Sequence, residues 1–176
     1  MNNPSIKVLL GAGASLLFLS GCAYNNPFGS ADERWADFKT WTKVTEGREP
    51  TGDPTGTLEL VHEGPNGYRD VYVNDIGKAV LMGEPPYKFP AGTVVVKEQF
   101  ENKADWEAQK GASVTVAVKV ADDGNISGDN WQWAAGYKAK AGASDFCSTC
   151  HIAAITPIYQ SDYVFTTADF LAKHPQ

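Results

Sequence analysis

The sequence predicts an α+β domain, a sheet of about four to five strands with helices on its flanks. Three observations carry that expectation. Residues 68–74, 92–100 and 113–120 alternate with the two-residue period of strands. Two shorter stretches, 31–41 and 75–82, carry helical spacing or a capping signal. A length of 176 residues, 43% hydrophobic and 20% charged, suits one ordinary globular domain plus a short extra segment and leaves no room for a second large domain.

In chain order, Lys7 precedes a small-and-apolar run from Val8 to Leu19 that is too short to span a bilayer well. The run ends in Leu19-Ser20-Gly21-Cys22, which resembles the signal of bacterial lipoproteins, whose cleavage leaves a cysteine to be acylated. Residues 1–21 are therefore expected to be a signal peptide and Cys22 the lipidated residue of a periplasmic protein. A plain secretory signal with an incidental cysteine is the competing reading. Ala23, where an Asp would retain such a protein at the inner membrane, points to the outer membrane. Residues 22–30 then make a lipidated tether, polar and Gly- and Pro-containing from Asn25 to Ser30, and the domain occupies residues 31–176.

Ala31 to Trp41 is expected as a helix: Asp32 and Glu33 suit its N-terminal dipole, and Trp35, Phe38 and Trp41 recur on one core-facing side. Glu46 to Gly56, rich in Gly, Pro and charge, reads as a loop. Tyr68 to Asn74 sets Arg69, Val71 and Val73 against Tyr68, Asp70 and Tyr72, the pattern of a half-buried strand. Asp75 caps a short helix through Met82, which Pro85-Pro86 prevents from continuing. Gly92 to Phe100 is the clearest strand, with Thr93, Val95, Lys97 and Gln99 on one side and Val94, Val96, Glu98 and Phe100 on the other. Ser113 to Val120 aligns Val114, Val116, Val118 and Val120 on one apolar face. Asp122-Asp123-Gly124-Asn125 and Gly128-Asp129-Asn130 supply the turns before a last strand, Trp131 to Lys138.

A formal net charge of -6 and the lack of any Lys/Arg cluster argue against nucleic acid as a partner. The chemistry lies near the C-terminus. With Cys22 assigned to lipid, the remaining cysteines are Cys147 and Cys150, followed at once by His151 in Cys-Ser-Thr-Cys-His. Two thiols three positions apart lie on one side of a helical turn. There they can add to the two vinyl groups of a haem, with His151 under the iron as proximal ligand. Three other readings compete. A structural zinc needs four ligands, and the only other histidines are His62 and His174. A thioredoxin-like pair would sit early, between a strand and a helix. A disulfide between such near neighbours closes a tiny, strained loop. One covalent haem c is the favoured cofactor. No Met follows His151, and Met82 is expected to fill the core, so the iron should be five-coordinate with one site open to a small ligand.

Five pieces, Arg69-Asp70-Val71-Tyr72-Val73, Gly92-Thr93-Val94-Val95-Val96-Lys97-Glu98, Asn130-Trp131, Cys147 to His151 and Asp162-Tyr163-Val164-Phe165-Thr166, carry a resemblance in their order and spacing. From about Arg69 to Thr166 the chain resembles the cytochrome P-460 family and its relative cytochrome c-prime-beta. The resemblance implies an antiparallel sheet flanked by helices, often in a homodimer, with haem held against that sheet. Lys97 stands where the P-460 branch bonds a lysine amine to a meso carbon of the porphyrin, making haem P-460. Taken alone, a Lys alternating with Val is usually a solvent-facing residue. Arg69 matches a position close to the haem, where a cation could pair with a propionate or orient a distal ligand; an ordinary strand-edge ion pair is its bland alternative. Family members that resemble hydroxylamine oxidases carry a distal carboxylate at the position of Thr115, and a hydroxyl cannot replace it as a general base near neutral pH. Glu98 should point to the opposite face. Tyr68, Tyr72, Phe89, Phe100, Trp131, Trp133, Tyr137 and Phe165 are available to pack haem or core.

Two functions follow from the resemblance. One is an enzyme oxidising hydroxylamine, nitric oxide or both towards nitrous oxide or nitrite, and passing electrons to a redox partner such as a soluble cytochrome c. The other is a cytochrome c-prime-beta-like binder of nitric oxide or carbon monoxide without turnover. Lys97 favours the first and Thr115 the second; simple electron transfer is third. Membrane contact is expected only through the lipid on Cys22.

Overall fold

The computed structural model describes residues 32–48 and 68–173. The expected signal peptide, Cys22 and the tether lie outside the described residues, as do His62, His174 and positions 49–56 of the expected loop. Among the described residues no helix is long and apolar enough to cross a membrane.

Five strands form one antiparallel sheet in chain order, each paired with its sequence neighbours. They are β1 (Thr42–Arg48), β2 (Tyr68–Val73), β3 (Val94–Phe100), β4 (Ser113–Lys119) and β5 (Trp131–Ala134). Helix α1 (Asp75–Leu81) joins β2 to β3 and α2 (Lys103–Glu107) joins β3 to β4; α3 (Asp145–His151) and α4 (Ala168–Lys173) follow the sheet. The expected α+β class, with an antiparallel sheet and flanking helices, is what forms.

Several local expectations are corrected. Residues 33–41 do not make an α-helix. They make turns and a 3-10 helix, Phe38–Thr40, in which the N–H groups of Trp35, Phe38 and Trp41 donate to carbonyls three residues back at 3.0–3.2 Å. The three-residue aromatic spacing is the period of a 3-10 turn, where side chains at i and i+3 eclipse. Glu46–Arg48 is not loop but the end of β1, a strand hidden from periodicity by two register shifts and by Gly47 at φ +57°. Asn74, not Asp75, caps α1: its Oδ1 accepts from the Gly77 N–H at 3.2 Å and also from the Val94 N–H at 3.1 Å. Met82 is 63% exposed rather than in the core, because Leu81 fills the apolar position one residue earlier. The last strand stops at Ala134, four residues short of the expected end.

Strand β2 is not half-buried, for both faces of the sheet are covered. On the first face Tyr72, Val94, Val96, Val114, Val116 and Val118 pack against Trp35, Phe38 and Tyr137. Alternation also sends Asp70 and Glu98 there, as cross-strand neighbours. Each buried carboxylate has its own lysine. Glu98 bonds Lys39, and Asp70 accepts from Lys43 at 3.1 Å, from the Trp106 indole at 2.9 Å and from the Gly47 N–H at 2.7 Å. On the second face Val71, Val73, Val95, Ala117, Trp131 and Trp133 pack with Tyr87, Phe89, Tyr163 and Val164. The C-terminal segment covers this face incompletely, and the gap is the site.

Candidate functional site

A cavity of about 410 Å³ lies between the second sheet face and the segment from Ser144 to Phe170. That is within the roughly 300–1,000 Å³ of small-molecule and cofactor sites. Strand register builds its floor. Thr45, Val71, Lys97 and Thr115 stand side by side across β1 to β4, and Val73, Val95, Ala117 and Trp133 form the next row. Arg48 and Arg69 are partners across β1 and β2 at one margin. Cys147, Cys150 and His151 approach from α3. Thus the six candidates read from the sequence, Lys97, Arg69, Thr115, Cys147, Cys150 and His151, all line the same cavity.

Local chemistry explains α3. The Ser144 hydroxyl accepts from the Cys147 N–H at 3.2 Å as N-cap, Asp145 sits in the first turn and His151 in the last, which suits the helix dipole. Positions 147, 150 and 151 then fall on one face at i, i+3 and i+4. No disulfide joins Cys147 to Cys150. His151 is held from behind: its Nδ1 lies 2.7 Å from the carbonyl oxygen of Tyr163. A carbonyl can only accept, so Nδ1 carries the proton and Nε2 keeps a lone pair, the tautomer a metal-binding imidazole needs. Trp133 and Phe165 flank the ring, with centroids at 4.5 and 5.5 Å.

Lys97 is half-buried, and its remaining exposure is to the cavity it lines. Burial first, and the positive charge of Arg69 second, pull its ammonium from 10.5 down to about 8, with the Cys147 sulfur acting in the opposite sense. At pH 7 about one amine in ten is then neutral and nucleophilic. Arg69 is itself pulled down by burial and by the charge of Arg48, and Arg48 by burial. Thr115 stands directly across the β3–β4 pair from Lys97. Glu98 faces away, bonded to Lys39 on the other side of the sheet. Among the described residues no Asp or Glu lines the cavity.

These residues fit a haem c. Two thiols stand at thioether spacing, one imidazole offers Nε2, Val71, Val95, Ala117, Trp133 and Phe165 supply apolar wall, and two guanidinium groups suit propionates. Among the aromatic residues named from sequence, Trp133 and Phe165 line the cavity, Phe89 and Trp131 pack in the core beside it, and Tyr72 and Tyr137 serve the opposite face. Tyr68 stacks on Trp106. The sequence reading missed Arg48, because the strand carrying it was missed. It also missed the Tyr163 carbonyl, since a backbone acceptor leaves no trace in side-chain identity.

A family model for cytochrome P-460 matches residues 35–166, a span that holds all five strands and the Cys-Ser-Thr-Cys-His motif. No curated protein matches the chain.

Proposed function

From the premise that the chain belongs to the cytochrome P-460 family and is a c-type haem protein, we propose that it is a haem oxidoreductase acting on hydroxylamine, nitric oxide or both. The observation that carries this reading is Lys97: a partly neutral amine on the wall of the cavity that also holds Cys147, Cys150 and His151. Haem, when bound, supplies an iron with one open coordination site and the capacity to take electrons from a small nitrogen compound. The chain's residues have separate tasks. Cys147 and Cys150 form the two thioethers, and His151 offers Nε2. With haem bound, the Lys97 amine would bond a porphyrin meso carbon, exchanging one of its N–H bonds and the ring C–H for a C–N bond, with an added two-electron oxidant such as a peroxide taking up the electrons and protons. Arg69, with Arg48, holds a propionate or orients an anionic ligand. Thr115 donates or accepts a hydrogen bond beside Lys97 but holds no proton-accepting charge.

In this proposal Cys22 is lipidated and holds the protein at the periplasmic side of the outer membrane, a soluble cytochrome c takes the electrons, and two copies form a dimer. Thr115 supports a second reading, a cytochrome c-prime-beta-like binder of nitric oxide or carbon monoxide. Visible spectroscopy and peptide mapping of the exported protein separate the two. The first reading expects a non-standard haem spectrum, a fragment in which the Lys97 peptide and the Cys147–His151 peptide are joined through one haem, and hydroxylamine-dependent reduction of an added acceptor. An ordinary c-type spectrum with Lys97 unmodified removes the first reading and leaves the second.

A further inference from the structure

We propose that the buried ion pair Lys119–Asp162 is a positioning device for the haem site: it clamps the turn at 161–164 so that the Tyr163 carbonyl meets His151 Nδ1. The inference rests on His151 being the haem ligand.

Lys119 ends β4 on the same face as Thr115 and Ala117, and is 2% exposed. Its Nζ donates to Asp162 Oδ2 at 2.6 Å. Asp162 is equally buried and is fully engaged. The Trp131 indole donates to Oδ1 at 3.0 Å, the Phe89 N–H to Oδ2 at 3.3 Å, and the Asp162 N–H itself donates to the Tyr87 carbonyl at 3.2 Å. Strands β4 and β5 and the segment before β3 therefore all hold one residue of the C-terminal segment. That residue immediately precedes Tyr163.

Tyr163 has φ +60°, the left-handed region that costs a residue with a Cβ roughly 1–2 kcal/mol. Such a conformation persists where its surroundings over-determine it. Here the Asp162 clamp lies on one side. On the other, the Ser161 hydroxyl donates to the Val164 carbonyl at 2.6 Å and the Tyr163 N–H to the Ser161 carbonyl at 3.1 Å. The strained residue's carbonyl is the one that lies 2.7 Å from His151 Nδ1. A buried ion pair is a poor way to gain stability, because desolvation offsets most of its Coulombic attraction, so apolar side chains would close this strand end as well or better. What the pair adds is geometry. An N–H donated to a well-placed acceptor raises the donor strength of the other ring nitrogen, and a stronger donor favours the more highly charged, oxidised metal.

The test uses the exported holoprotein. Lys119→Met and Asp162→Asn, singly and together, are compared with wild type by reduction potential, by the iron–histidine stretching frequency of the ferrous protein, and by denaturant unfolding. Each single variant should raise the potential, with a tenfold shift in the ferric-to-ferrous balance reading as 59 mV, and should lower the stretching frequency. The double variant should go no further than the larger single effect, because both act through one turn. Lys39→Met breaks the half-buried pair with Glu98 on the opposite face and should change stability alone. Should Asp162→Asn fail to fold, Trp131→Phe removes one donor to the carboxylate and should move both spectroscopic readouts in the same direction by less. Variants that lose stability but keep the wild-type potential and stretching frequency would overturn the proposal and leave the pair a structural clamp. A wild-type protein without covalent haem would instead sink the haem assignment beneath it.

Discussion

Lys97→Met is the perturbation that probes the site most directly, because Met keeps the length and apolar stem while removing the amine. The fall of the Lys97 ammonium from 10.5 to about 8 sets the magnitude. At about 1.4 kcal/mol per pH unit, an uncross-linked lysine here destabilises the folded state by ~3 kcal/mol while it carries a proton. The sign follows from where protons are bound. Below pH 8 both folded and unfolded chains hold the proton and the full cost applies. Between about pH 8 and 10.5 only the unfolded chain holds it, so stability rises with pH; above 10.5 the cost is gone. If the amine is bonded to haem, the variant instead reverts to an ordinary c-type visible spectrum with both thioethers intact. If it is not bonded, the variant gains ~3 kcal/mol in guanidinium unfolding at pH 7, and the gain fades above pH 8. A variant with the wild-type spectrum and a pH-independent stability difference would refute both the cross-link and the argument that this amine is costly to bury.

Three further outcomes are open to measurement. Thr115→Glu places a carboxylate across the strand pair from Lys97 and should raise hydroxylamine turnover about 10²-fold near neutral pH; unchanged turnover in steady-state assays, with the cross-linked spectrum retained, would show that a missing base is not what limits the reaction. Gly77→Ala should destabilise despite a helix-propensity gain of about 1 kcal/mol, since the new Cβ would stand 2.5 Å from Thr93 Cγ2 and 2.9 Å from Val73 Cγ2, and overpacking there costs about 1–3 kcal/mol. Trp35→Phe removes the 2.9 Å bond from the buried indole to the Tyr137 carbonyl and should cost about 1–3 kcal/mol in denaturant unfolding.

The parts of the fold legible in sequence are those where period and burial agree. Val94 to Phe100 reads as a strand because its two faces meet different environments, Val95 and Lys97 the cavity, Val94 and Val96 the core. Thr42 to Arg48 does not, because its register shifts break the alternation that periodicity depends on. The site divides in the same way. Cys147, Cys150 and His151 are legible from spacing alone, since thioether chemistry demands it. Lys97 and Thr115 carry no such local signal: the family resemblance singles them out, and the β3–β4 register then sets them opposite each other. The carbonyl of Tyr163 and the ion pair behind it were beyond reach, because a tertiary contact chooses them and local pattern does not. Met82 shows the reverse error, since an apolar residue type at a helix end says little about which neighbour takes the last core position.

The two faces of the sheet handle charge differently, and this bears on what the cavity can accept. On the core face every buried carboxylate has a lysine, so Asp70 with Lys43 and Glu98 with Lys39 leave little net field. On the cavity face the described lining carries Arg48, Arg69 and Lys97 and no carboxylate. A low-dielectric pocket with that lining favours anions and neutral molecules over protonated amines. It also leaves protons released at the site without an ionised acceptor on the wall. With His151 Nε2 committed to the iron, the Lys97 amine is the basic side chain left among the described lining residues to take a proton near pH 7, and bonding it to a porphyrin edge would use up that capacity. Cross-link and proton acceptor are thus alternative fates of a single nitrogen. In a cross-linked protein, turnover must release its protons to water entering the cavity, and its rate should follow the concentration of added buffer base. A cross-linked protein whose hydroxylamine turnover is indifferent to buffer base would require an acceptor that the described residues of this wall do not supply.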